Sequence, residues 1–422
     1  MKEFLKARYH WVVAFAVLLV MFVYVGIYNN LMALYLVPVS EELSLSRGSF
    51  SLAFSGRSVV SAFTVALSGP LIRRFGYRRL TGIGLALACA AYVNLGLSRN
   101  LTMIFASFIT IGICDGVCGM AAAVYLVSNW FHKYRGTMLG LVSASTGLGG
   151  SAFCVMIASV MEGAGWRTSL FVCGGIMALA SLLVFLLVRN QPAQMGLQPL
   201  GEGTVTEKTA VKKLQKDHWQ GFSLSQLVRR PNFYLALLAV LLTNLCLSLS
   251  YYNMVPHLQS SGISSAQAAA MQSVMLLAMA GAKLLCGMCC DLFGTKVVYA
   301  VSMGCLTVCL FLFSFISGLA GAWTAVMVFA IALPLMSTLI PLIASSLFGY
   351  QTNSAITGVF LAAPSVGAII ANPVANALYD RLGTYQPVFL AAAILSVFII
   401  LLYMVVFVLS GRDRKKLAEE KL

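Results

Sequence analysis

The chain has 422 residues, 60% of them hydrophobic and only 10% charged, with a formal net charge of +15 and a mean hydropathy of +0.89. A water-soluble protein of this length has no interior large enough for that much apolar surface, so composition excludes a soluble globular class and points to a polytopic membrane protein. The positive surplus would suit nucleic acid, but its placement along the chain assigns it to topology and removes nucleic acid as a partner.

The first apolar run, over 11–35, follows Lys2, Lys6 and Arg8 as a signal peptide would. It is too long, lacks an A-x-A cleavage site and is followed by similar runs, so it reads as a first span. Further runs fall at 50–72, 80–98, 102–128, 136–160 and 166–188, and after a polar gap at 232–256, 266–290, 297–317, 321–346, 354–377 and 386–410. Each suits a helical crossing, at about 20 residues for ~30 Å of hydrocarbon, and is too long for a barrel strand. The expected fold is all-α, with twelve transmembrane helices in two six-helix bundles, 1–188 and 232–422, the second with a cytoplasmic tail. The gap at 189–231 carries Pro192, Pro199 and a glycine-rich GEGT and reads as a cytoplasmic linker. Within it, Ser223-Leu-Ser225-Gln-Leu suggests a short surface helix before span 7.

Placing the N-terminus inside puts 22 of the 28 Lys and Arg on the inner side and only Arg47, Arg99, Arg167 and Arg381 outside. That asymmetry predicts a multi-pass protein of the cell inner membrane with both termini cytoplasmic. All eleven cysteines fall inside apolar runs and read as buried free thiols. Cys286-x-x-Cys289-Cys290 has no companion His or second Cys pair, and His10, His132, His218 and His257 form no metal spacing. No metal, no cofactor and no enzymatic activity are expected.

Two cations and one acid lie inside spans. Lys283 sits in AQAAAMQSVMLLAMAGAKLLCGMCCD of span 8, ~7 Å to one side of its middle. An ammonium there costs several kcal/mol unless it faces partner helices, water or an anion. It reads as a carboxylate anchor, or as a lysine snorkelling to the interface near Asp291. Arg57 in span 2 is either a second anion contact or the structural partner of Asp115 in span 4, which lies within an arginine's length in depth. If Asp115 instead faces a cavity unpaired, it is the candidate proton carrier. Tyr28 and Asn30 of span 1 and Asn253 of span 7 are candidates for hydrogen bonds to substrate, or for glue between helices. Tyr35, Tyr251 and Tyr252 at the outer ends are expected in the aromatic belt.

The two sets of six spans share landmarks at an offset of 218: Pro38 with Pro256, Ser55 with Ser273, Gly69 with Gly287, Gly76 with Gly294, Gly140 with Gly358, Glu162 with Asp380, and Gly165 with Gly383. Paired six-span halves place a binding site near the bilayer midplane and permit alternating access.

Gly69-Pro-Leu-Ile-Arg73-Arg74-Phe-Gly76-Tyr-Arg78-Arg79 and Gly287-Met-Cys-Cys-Asp291-Leu-Phe-Gly294-Thr-Lys296 resemble the two G-x-x-x-D-R-x-G-R-R loops of the major facilitator superfamily. The first copy has Arg73 where that family has Asp; the second keeps Asp291. Trp130-Phe131 with Arg135-Gly136, Gly165-Trp166-Arg167, and Pro192-x-x-x-Gly196-Leu-x-Pro199 resemble the oxalate/formate antiporter and monocarboxylate transporter branch. The resemblance implies that a cation in span 8 holds the substrate carboxylate, and Lys283 matches that position. Asn30 and Met279 stand where animal members carry a lysine and an aspartate, and span 11 lacks the lysine of oxalate carriers.

The resulting expectation is a monomeric secondary carrier of a small organic anion, a monocarboxylate first of all, working as proton symporter or anion exchanger. Lys283, Arg57, Asn30, Tyr28 and Asn253 would bind substrate. Gly69, Arg73, Arg74, Gly76, Arg78, Gly287, Asp291, Gly294 and Lys296 would form the conformational loops. The alternatives are a multidrug or metabolite efflux carrier of the same superfamily and a non-transporting membrane sensor.

Overall fold

The computed structural model describes residues 9–131, 135–200, 224–227, 229–316, 318–336, 338–348, 359–360 and 363–419. Gly358 and Gly136 of the motifs above lie outside the described residues or their described surroundings.

The first span is interrupted. Helix α1 (Tyr9–Val20) runs into a π-helical turn at Met21–Val25, then α2 (Gly26–Asn30), a break at Leu31 and α3 (Met32–Glu42). Next come α4 (Arg47–Phe75), α5 (Tyr77–Gly96), α6 (Leu101–Cys118), α7 (Met120–Trp130) and α8 (Arg135–Leu187), whose two arms meet at the non-helical Gly165. After the short α9 (Leu224–Leu227) follow α10 (Pro231–Ser260), α11 (Ser265–Phe293), α12 (Thr295–Ser314), α13 (Gly318–Ala332), α14 (Leu339–Phe348), α15 (Ala363–Leu382) and α16 (Gln386–Glu419).

Among the described residues, nine helical stretches are long and apolar enough to cross a membrane, and Arg47–Phe75, bent by 58°, makes a tenth. One of the nine, Met138–Leu187, holds two crossings about Gly165. Counting these together with the more polar α15 gives the twelve spans of an all-α membrane fold.

The repeat is written in the backbone as well as in the sequence. Gly76 (φ 82, ψ 146) and Gly294 (φ 83, ψ 148) cap α4 and α11 with the same turn, and Gly165 (φ 82) and Gly383 (φ 69) form another such pair. A further pair has no glycine in its first copy. Ser44 (φ 50) matches Gly262 (φ 86), and Leu45 N–H bonds Ser40 C=O as Ile263 N–H bonds Leu258 C=O. Both close a helix with a left-handed residue, which a serine adopts only with strain.

The chain divides into two compact units. In the first, Met1–Thr204 with Leu258–Leu277, α4 packs on α6, and α5 on α6 and α8. There α1 and α2 approach the first arm of α8 backbone to backbone: a Cβ on Gly149 would stand 2.0 Å from the Phe22 carbonyl oxygen. Small residues permit such contact. The first half of α11 joins this unit through Gln272 Nε2, which donates to Asn30 C=O at 2.6 Å, and Ser273, which donates to Ser151 C=O at 2.9 Å. The Ser151 and Ser273 hydroxyls are 2.8 Å apart. In the second unit, Val205–His257 with Ala278–Leu422, α12 packs on α13 and α16.

The expected aromatic belt differs from what forms. Tyr35 is fully buried with its hydroxyl 2.9 Å from Ser169 Oγ, and Tyr251 and Tyr252 are buried against each other. The Ser169 partner removes the cost of burying the Tyr35 hydroxyl, and the Tyr251 and Tyr252 rings meet edge to face.

Candidate functional site

The charged centre of the first unit lies where α2, α4 and α6 meet. Arg57 Nη1 of α4 stands 3.6 Å from Asp115 Oδ2 of α6, and both residues are only 4% exposed. The guanidinium also reaches Ser58 Oγ and lies 4.8 Å from the Tyr28 ring centroid and 4.5 Å from that of Phe54. Tyr24 packs on Tyr28 at 4.7 Å and donates to the Ile111 carbonyl. Of the two readings of Arg57 and Asp115, the paired one is what forms in this conformation. Span 1 is interrupted by a π-turn that contains Tyr24 and again at Leu31, just past Tyr28 and Asn30, and span 4 breaks at Gly119, one turn after Asp115. A Cβ on Gly119 would come 2.4 Å from the Asp115 carbonyl oxygen. Non-standard helical turns of this kind free backbone groups and re-aim side chains.

Asn30 ends α2. Its Nδ2 donates to Thr146 C=O at 3.2 Å, and its own carbonyl receives Gln272. Lys283 lies in the half of α11 that belongs to the second unit and is half-buried. Among the described residues no carboxylate stands within ion-pair distance of it. Asn253 of α10 donates to Leu249 C=O and accepts from Asn376 Nδ2 of α15. Asn376 in turn contacts Asn372 and accepts from the Tyr385 hydroxyl. The sequence reading missed Tyr24, Asn372 and Asn376. Tyr24 stands one turn before Tyr28, and Asn372 and Asn376 are one turn apart in an apolar span, which is the signal that would have found them.

In the first motif loop Arg78 uses its backbone N–H on Asn190 Oδ1 and its side chain, through Nε and Nη2, on the Phe185 carbonyl. Arg73 and Arg74 are exposed. In the second, Lys296 Nζ lies 5.3 Å from the Phe407 ring centroid. Gly287 and Asp291 lie on α11, but their side-chain surroundings fall outside the described set.

The branch-like pieces bind one another. Trp130 Nε1 donates to Arg189 C=O, and Leu200 N–H donates to Trp130 C=O, so the Pro192–Pro199 segment docks on Trp130-Phe131. At the opposite end of the unit Trp166 Nε1 and Arg167 Nε both donate to the Glu42 carboxylate, and Arg167 Nη1 caps Gly96 and Ser98. These bonds hold the Glu42 carboxyl below the usual glutamate range, Trp166 contributing most.

Membrane-length helices, charges buried at mid-span and duplicated turn loops define an integral membrane carrier of small molecules. The profile of the Major Facilitator Superfamily matches residues 16–362 and 254–422, and the chain belongs to that family. It is 26% identical over 389 residues to the oxalate:formate antiporter of Oxalobacter formigenes, covering 92% of this chain and 89% of that one. It is 29% identical over 160 residues to monocarboxylate transporter 14 of Mus musculus, covering 37% and 31%. Among solved structures, the nucleoside transporter NupG superposes with a TM-score of 0.72 at 13% identity, covering 94% of this chain and 99% of that one. A bacterial homologue of the human lysosomal transporter Spinster, inward-facing and occupied, gives 0.68 at 13%, covering 96% and 97%. At those identities the likeness is one of fold alone.

Proposed function

We propose that the protein is a secondary active transporter of a small organic anion, first of all a monocarboxylate, in the cell inner membrane. Both termini are cytoplasmic in this reading, and bundles 1–188 and 232–422, joined by 189–231, alternate access as a monomer. The observation that carries it is Lys283, a half-buried ammonium within an apolar span with no described carboxylate beside it. Such a group is costly unless it receives an anion, and neutralising it lowers the barrier to closing the cavity. The likeness to an oxalate:formate antiporter along nearly the whole chain supports a carboxylate and an exchange mode.

Arg57 and Asp115 provide the coupling element. A proton on Asp115 cancels its hold on Arg57, and the guanidinium is then available to an anion beside Tyr28, which permits symport of acid and proton. Asn30 and Asn253, their amides engaged by Thr146 and Asn376, hold the lining helices. The test is uptake of lactate, pyruvate, formate and oxalate into proteoliposomes, with and without a pH gradient. Lys283→Ala is expected to abolish uptake at unchanged expression and Lys283→Arg to keep part of it. Wild-type rates in Lys283→Ala would refute the assignment.

A further inference from the structure

The first unit has a cavity of about 630 Å³ at its basic end, where α4 stops and α5 starts, lined by Arg73, Arg74, Arg78, Arg79, Asn190 and Gln194 among others. It is a built feature. Gly76 turns the chain there with φ +82, and a Cβ on it would meet Asn190 Nδ2 at 2.4 Å. Asn190 is held by the Arg78 N–H and by its own N–H to Gln194 Oε1. Arg78 is engaged by Phe185, which leaves the exposed guanidinium groups of Arg73, Arg74 and Arg79 facing the cavity together with the first turn of α5, the positive end of a helix dipole.

No negative charge balances them among the described residues. The carboxylates described in this unit are Glu41, Glu42, Asp115 and Glu162, three at the opposite end and one at mid-span. Guanidinium groups fork onto phosphate oxygens, and basic pockets at the cytoplasmic ends of membrane helices suit phosphate headgroups. On α4 the large apolar side chains Leu67, Leu71 and Phe75, at four-residue spacing and 58%, 36% and 49% exposed, lead to the same arginines. That strip would carry an acyl chain whose headgroup sits in the cavity.

We propose that this cavity binds a phosphate group at the cytoplasmic face, supplied by an anionic phospholipid or by a soluble phosphate. The proposal rests on the orientation given above and not on the carboxylate assignment. Purified full-length protein in nonionic detergent is titrated with short-chain phosphatidylglycerol, with phosphatidylcholine of the same chain length, and with inorganic phosphate, binding being read by native mass spectrometry and thermophoresis. Phosphatidylglycerol is expected to bind more tightly than phosphatidylcholine. The affinity should fall about fivefold per guanidinium removed, on the order of 100-fold in the Arg73→Gln, Arg74→Gln, Arg79→Gln triple variant. Phosphatidylglycerol binding that inorganic phosphate does not displace assigns the lipid source. Inorganic phosphate that binds or displaces lipid in an arginine-dependent way assigns the soluble source. Should the triple variant fail to fold, Arg79→Gln alone, with its fivefold loss, carries the test. Equal binding of both lipids without phosphate binding, or variants that bind as the wild type does, overturns the proposal. The readout is binding rather than flux, so its failure is distinct from failure of the transport reading.

Discussion

The Arg57–Asp115 pair lends itself to a quantitative test. At 3.6 Å and an effective dielectric of about 20, the attraction is about 5 kcal/mol before desolvation is counted. Truncating one partner leaves the other buried and charged, which costs about 3–5 kcal/mol. Asp115→Leu and Arg57→Met are each expected to lose stability in that range. The double variant, with no charge left to bury, should fall within about 1 kcal/mol of the wild type. The assay is reversible unfolding in mixed micelles, assembled as a double-mutant cycle. A double variant that loses the sum of the two single losses would show that the groups do not depend on each other and would refute the pairing argument. The same pair is addressed functionally by Asp115→Asn, which keeps the shape and removes the ionisation. Uptake in that variant should lose its dependence on pH, and an unchanged dependence would take Asp115 out of the coupling.

The remaining predictions concern the turns. Gly262→Ala should cost about 1 kcal/mol, because the left-handed position strains any residue with a Cβ. Ser44→Gly should gain no more than about 0.5 kcal/mol, since relief of strain is offset by the freedom glycine has when unfolded; a loss above about 1 kcal/mol would contradict the shared turn. At Glu42 the folded carboxyl titrates below the ordinary glutamate value, about 4.3, so its contribution is present above that value and is lost as pH falls through the lowered one. Against Glu42→Gln the wild type should lead at neutral pH by less than about 1 kcal/mol, the side chain being half-exposed, and the lead should vanish in acid. A difference constant from neutral pH into acid, measured by thermal unfolding, would exclude the carboxylate as its source.

Hydropathy made the spans legible because a bilayer imposes one length on every crossing. The duplicated glycines at Gly76 and Gly294 were legible for a related reason, a positive φ leaving few residues to choose from. Ser44 was not, since its role as the counterpart of Gly262 shows only in φ. Depth counting placed Arg57 beside Asp115, but it gave no hint of the π-turn at Met21–Val25, where no proline marks the interruption. The turn packs against Gly149, where a Cβ would collide with the Phe22 carbonyl, and a contact between distant segments has no local signature. The same holds for Asn253: its chemistry is plain in the sequence, while Asn376, which occupies it, is 123 residues away.

Among the described residues, the hydrogen bonds by which the first half of α11 meets α2 and α8 join neutral groups: the Gln272 amide on Asn30, the hydroxyls of Ser151 and Ser273, and the Cys154 thiol on Ala269 C=O and Gln272 Oε1. Interhelical hydrogen bonds of this kind average about 0.6 kcal/mol in a membrane setting, so the three that do not involve the thiol make a latch of about 2 kcal/mol. As far as those bonds decide, roughly one molecule in thirty stands unlatched at any moment. Releasing it takes about 2 kcal/mol, roughly three times RT, whereas a latch made of ion pairs would have held the segment more firmly.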